Sequence, residues 1–86
     1  MPEISRFFGI IITMYFKDHA PPHFQARYNE HEALIAIESL GLVEGSLPPK
    51  ALSLVVEWAS QHREELFANW QGLSTVGSFQ KITPLA

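Results

Sequence analysis

Eighty-six residues suffice for one domain built on a single core, and six Lys and Arg set against nine Asp and Glu leave a net charge of −3, which provides no basic field for phosphates and counts against broad nucleic-acid binding, with no DNA partner expected and RNA only weakly supported. With no cysteine, disulfides, thiolate metal sites and a cysteine nucleophile are excluded, in keeping with a cytoplasmic protein. The apolar run from Phe7 to Phe16 is too short to span a bilayer and leads into Lys17-Asp18-His19 rather than a cleavage site, so neither a membrane span nor a signal peptide is expected.

From Phe8 to Phe16 the chain is dense in β-branched and aromatic residues, which predicts a first strand. Its period of two puts Ile10, Ile12, Met14 and Phe16 on a core face, with Ile11, Thr13 and Tyr15 opposite. The corner Asp18-His19-Ala20-Pro21-Pro22 follows, where two prolines forbid a helix and hold His19 and His23 in a stiff, extended connection. A second strand, His23 to Tyr28, places His23, Gln25 and Arg27 on one face and Phe24, Ala26 and Tyr28 on the other. Asn29-Glu30-His31 reads as a turn into a third strand, Ala33 to Glu38.

Gly41, Gly45 and Pro48-Pro49 then interrupt the pattern, with Ser46 placed to cap a helix that carries proline in its first turn. That helix is expected from Pro49 to Gln71, with an apolar stripe of Leu52, Val55, Val56, Ala59, Leu66, Phe67 and Trp70 and a stop at Gly72. At about 1.5 Å per residue it would be about 34 Å long, matching about 33 Å for the ten residues of the apolar run from Phe7 to Phe16 at about 3.3 Å each. Leu54 and Trp58 stand beside the stripe, so Trp58 either closes the edge of the core or forms part of a partner patch. A last segment, Ser78 to Leu85, alternates as an edge strand, with Pro84 tolerable only at an edge. The expected fold is a single α+β domain over residues 1–86: a three-stranded antiparallel meander packed on one long C-terminal helix, plus a short edge strand.

The groups able to do chemistry gather around the proline corner. His23 as general acid or base, His19 as a second proton-transfer group and Arg27 as a phosphate clamp, with Tyr15 across the sheet, would make a metal-independent ribonuclease site. The same two histidines, with Asp18 as a weak third arm, could instead hold a metal ion, or could simply fix a rigid corner by hydrogen bonds to the backbone. His62 has Glu65 at i,i+3 and reads as a solvated helix pair, and His31 as an exposed turn residue. No serine has the glycines of a nucleophile elbow, Gly41 to Gly45 lacks the lysine of a phosphate loop, and no paired carboxylates mark a glycosidase or two-metal nuclease. No cofactor is implied.

Ile4-Ser5-Arg6-Phe7-Phe8-Gly9-Ile10, Met14-Tyr15-Phe16, Asp18-His19-Ala20-Pro21-Pro22-His23-Phe24 and Glu32-Ala33-Leu34-Ile35 resemble the small bacterial family known as domain of unknown function 4160. Leu54-Val55-Val56-Glu57-Trp58-Ala59, His62-Arg63-Glu64-Glu65-Leu66 and Asn69-Trp70 extend the likeness through the second half. The resemblance implies the toxin component of a toxin–antitoxin module, encoded beside a small antitoxin-like protein of the domain of unknown function 2442 family, with RNA cleavage as one mode of action. Members often carry a third histidine where this chain has Gln25, and glutamine is a poor zinc ligand. The competing readings are a non-enzymatic interaction module, which recruits a partner through strand edges or Trp58, and a metal-binding domain.

Overall fold

Two-residue periodicity at Ile10 does produce a strand, but another strand precedes it. In the computed structural model, which describes residues 2–15 and 19–85, β1 (Glu3–Phe7) and β2 (Ile10–Thr13) are joined by a tight turn at Phe8-Gly9. Both turn residues lie in the left-handed region, φ 50° and 79°, as a two-residue hairpin compatible with sheet twist requires. β3 (His23–Tyr28), β4 (His31–Ala36) and β5 (Leu42–Gly45) continue one antiparallel sheet in the order β1-β2-β3-β4-β5. The meander is therefore five-stranded rather than three-stranded. Phe at the first turn position hides the β1–β2 hairpin from a search for Asn-Gly or Asp-Gly, and glycines at both ends of β5 make that strand look like a break.

Register separates the two faces. Ser5, Ile12, Ala26 and Ala33 lie across from one another on one side, as do Phe24 and Ile35, and all are buried. On the other side Glu3, Thr13, Gln25, Leu34 and Glu44 form one cross-strand row, and Arg6, Ile11, Arg27 and Glu32 a second. Ile10, Ile12 and Met14 are buried as their alternation predicts, while Phe16 lies outside the described residues.

Two helices cover the apolar face instead of one long helix: α1 (Pro49–Gln61) and α2 (Arg63–Thr75), broken at His62 with φ −131° and ψ 25°. Neither Gly nor Pro causes the break. Instead a new helix start forms, with Glu64 and Glu65 in the first turn of α2, where the positive end of the helix dipole favours them, and the Glu65 carboxylate 2.5 Å from His62 Nδ1. Pro49 occupies the first turn of α1, but the residue before it, Pro48, caps that helix without a side-chain bond, so Ser46 is not the cap. The buried stripe is Ala51, Val55, Trp58 and Ala59 on α1 and Leu66, Asn69 and Leu73 on α2. Trp58 is at its centre and fully buried, so it closes the core and offers no patch to a partner. Among the described residues, no helix is long and apolar enough to cross a membrane.

Residues 76–85 are not the expected edge strand but an irregular strap along β1. Among the described residues a single backbone bond, Ile82 N–H to Ile4 C=O at 3.0 Å, ties strap to sheet at a bulge in β1. Side chains supply the rest: Asn69 donates to the Gln80 carbonyl and accepts from the Gln80 N–H, both at 2.8 Å, and Trp58 Nε1 donates to Thr83 C=O at 2.8 Å. Asn69 thus gives the strap the pairing that a neighbouring strand would give. Gly72 does not stop α2, which runs on to Thr75; it is glycine because a Cβ there would stand 2.3 Å from the Ser78 carbonyl oxygen. Asn69→Ala is expected to cost about 1–2 kcal/mol in denaturant unfolding and to remove hydrogen-exchange protection at Gln80 and Ile82. Gly72→Ala should gain up to about 1 kcal/mol in helix propensity yet destabilise the protein, because the strap backbone has to move; a net stabilisation would contradict the close approach.

Candidate functional site

Neither helix covers the second face of the sheet, and among the described residues two adjoining clefts lie on it. One, of about 240 Å³, is lined by Tyr15, Gln25, Glu32, Leu34 and Glu44. The other, of about 280 Å³, is lined by Tyr15, His19, Pro21, His23, Val43 and Glu44. They share Tyr15, Leu34 and Glu44, so they act as one shallow trough running from the proline corner to β5. The register shift in β5 helps shape it. Leu34 pairs with Glu44 and Ile35 with Leu42, which leaves Val43 as the extra residue of a bulge and lets Val43 and Glu44 both face the trough.

Gln25 organises the floor. Its Oε1 accepts from Thr13 Oγ1 at 3.1 Å and from the Tyr15 hydroxyl at 3.3 Å, and its Nε2 donates to Glu32 Oε2 at 3.3 Å. With both ends of the amide engaged, Gln25 serves as a hydrogen-bond hub linking β2, β3 and β4. At the outer end of β1, the Arg6 guanidinium hydrogen-bonds the Glu3 carboxylate at 2.8 Å and holds that carboxyl below its ordinary value.

His19 and His23 do come together, with ring centroids 6.3 Å apart, yet their environments differ. His19 is exposed, whereas His23 is buried and packs on Trp70 of α2 at 5.1 Å between ring centroids. His23 Nδ1 lies 2.7 Å from the Pro21 carbonyl oxygen; a carbonyl can only accept, so Nδ1 carries a proton and the corner is locked across two residues. Arg27 does not join them. Four residues along β3 from His23, it is displaced by about 13 Å, and its Nε stands 3.9 Å from Glu32 Oε2 on the outer row. The phosphate-clamp geometry expected from the shared face is not assembled, because sharing a face does not bring positions i and i+4 of a strand within reach.

Asp18 lies outside the described residues. Among the described residues, no three His, Cys, Asp or Glu side chains gather closely enough to hold a metal ion. His62 pairs with Glu65 as its spacing predicts, and its ring also packs on Trp58 at 5.5 Å. Glu32, Leu34, Val43 and Glu44 are lining residues that sequence reasoning missed; Leu34, with Glu32 two positions before it, was legible as an outward position of a strand, whereas Val43 and Glu44 depend on a strand and a bulge with no clear signal.

The family model for a domain of unknown function (DUF4160) matches residues 9–71, which carry every trough residue named above. The chain belongs to this family. No curated protein and no solved structure matches it. The DUF4160 match begins at the turn after β1 and ends inside α2, so β1 and the strap, which are bonded to each other, lie outside it.

His23→Ala is expected to lower stability by about 1–3 kcal/mol, through the lost Pro21 bond and Trp70 packing. Chemical denaturation monitored by far-UV circular dichroism measures this, and an unchanged midpoint would contradict the structural role of the ring.

Proposed function

We propose that this DUF4160 chain is the toxin-like member of a bacterial two-component module, acts in the cytoplasm, and receives its partner, a small protein of the domain of unknown function 2442 family, in the trough on the open sheet face. Family membership supports the two-component setting, since that is what the resemblance implies. The observation that carries the binding site is the make-up of the trough: apolar walls from Pro21, Leu34 and Val43 beside the carboxylates of Glu32 and Glu44. Such a surface fits a protein segment that presents an apolar side chain next to Lys or Arg. A track for RNA would instead set cations along the phosphates, and Arg27 stands against Glu32 rather than beside the histidines.

In a bacterial host, induced expression of the chain should arrest growth, and the neighbouring protein should relieve the arrest. The purified pair should form a complex that Glu44→Lys weakens by about tenfold or more without changing the melting temperature. Absence of a complex in size-exclusion chromatography and calorimetry would overturn the reading. RNA cleavage remains a second reading on one observation, the two imidazoles beside Tyr15 at one end of the trough. It requires His19→Ala to abolish growth arrest while leaving the complex intact; under the binding reading, His19→Ala arrests growth as the parent does.

A further inference from the structure

A separate cleft of about 510 Å³ opens at the far end of β3 from the proline corner, between the β1–β2 turn and the start of α1. Ile10 and Ala51 lie at its base, Phe8, Tyr28 and Leu54 form apolar walls, and Lys50 supplies a positive charge. Two features of this cleft run against what folding alone would select. Phe8 is 59% exposed and adopts φ 50°, a left-handed conformation that a bulky side chain takes only under strain and that Asn or Gly would take readily. Lys50 sits in the first turn of α1, which holds no acidic residue, where the helix dipole disfavours a cation, and no carboxylate pairs with it among the described residues. A strained aromatic wall and an uncompensated cation therefore converge on one apolar cleft. Residues kept against local preference are the ones to examine for binding.

We infer that this cleft is a binding site for a small carboxylate with an apolar body, an aryl- or alkyl-carboxylic acid whose hydrocarbon part lies between Phe8, Tyr28 and Leu54 and whose charge meets Lys50. The volume accommodates a ring and a short chain, and the single cation sets the sign of the head group. The site is independent of the trough and does not rest on the partner reading.

The test uses the full chain and 4-phenylbutyrate as probe, followed by amide chemical shifts, with 4-phenylbutanol as the uncharged control. Saturable shifts confined to the β1–β2 turn, Tyr28 and the first two turns of α1 are expected, with the alcohol and the Lys50→Met variant each binding about tenfold more weakly. Phe8→Asn provides the second arm: it should abolish binding and, by relieving the left-handed strain, raise the melting temperature by about 4 °C. A probe that gives no saturable shift at about 10 mM, an alcohol that binds as tightly as the acid, or a Phe8→Asn variant that melts lower than the parent would each overturn the proposal.

Discussion

The Trp58 side chain is where the separate parts of this fold meet. Its indole is fully buried and packs on Phe7 of β1 at 5.3 Å, on Phe24 of β3 at 6.1 Å and on His62 at the helix break at 5.5 Å, each measured between ring centroids. Its one polar atom donates to Thr83 in the strap. A large aromatic group supplies apolar area in every direction, and an indole N–H enclosed in a core must find an acceptor, so the strap carbonyl satisfies both demands. Sheet, helix pair and strap are thereby held by one residue. In an 86-residue chain without cysteine, such shared contacts stand in for the cross-links that small domains otherwise use.

What was legible in the sequence follows from how local the cause is. β3 has the expected bounds, and β2 and β4 lie within or close to theirs, because alternation of apolar and polar residues fixes which side chains are buried whatever else the chain does. The break at His62 was not legible, since a helix interrupted by Glu65 reaching back to an imidazole has the composition of an unbroken one. Asn69 reads as a polar residue in a helix and becomes intelligible only against Gln80, eleven residues on. Of the site, the pairing of His19 with His23 was legible because the prolines between them constrain a short connection. The distance of Arg27 was legible too, but only if strand rise is considered along with strand face.

The one-sided cover explains why the polar groups collect where they do. Both helices pack on the apolar face, so the opposite face needs only enough hydrogen bonding to satisfy its side chains, and Gln25 does this for Thr13, Tyr15 and Glu32 together. A rigid floor of that kind fixes the walls above it: Leu34 beside the hub, and Val43 with Glu44 turned inward by the bulge. His23 contributes by holding the corner at the end of the trough while packing on α2, which couples the open face to the helical layer.

The two edges of the sheet are treated differently, and this bears on how a partner would approach. The strap covers β1, so that edge is occupied from within the chain. Among the described residues β5 has no neighbour beyond it in the sheet, and its four residues are all exposed, including Leu42 and Val43. An open edge of this composition would ordinarily invite another strand. Shortness and a bulge are, however, the two devices that blunt edge pairing, and β5 has both. The bulge that spoils the ladder is the same distortion that delivers Val43 and Glu44 to the trough. Protection of the edge and shaping of the trough are thus one structural event, and under the proposed partner reading this favours side-chain recognition across the sheet face over addition of a sixth strand.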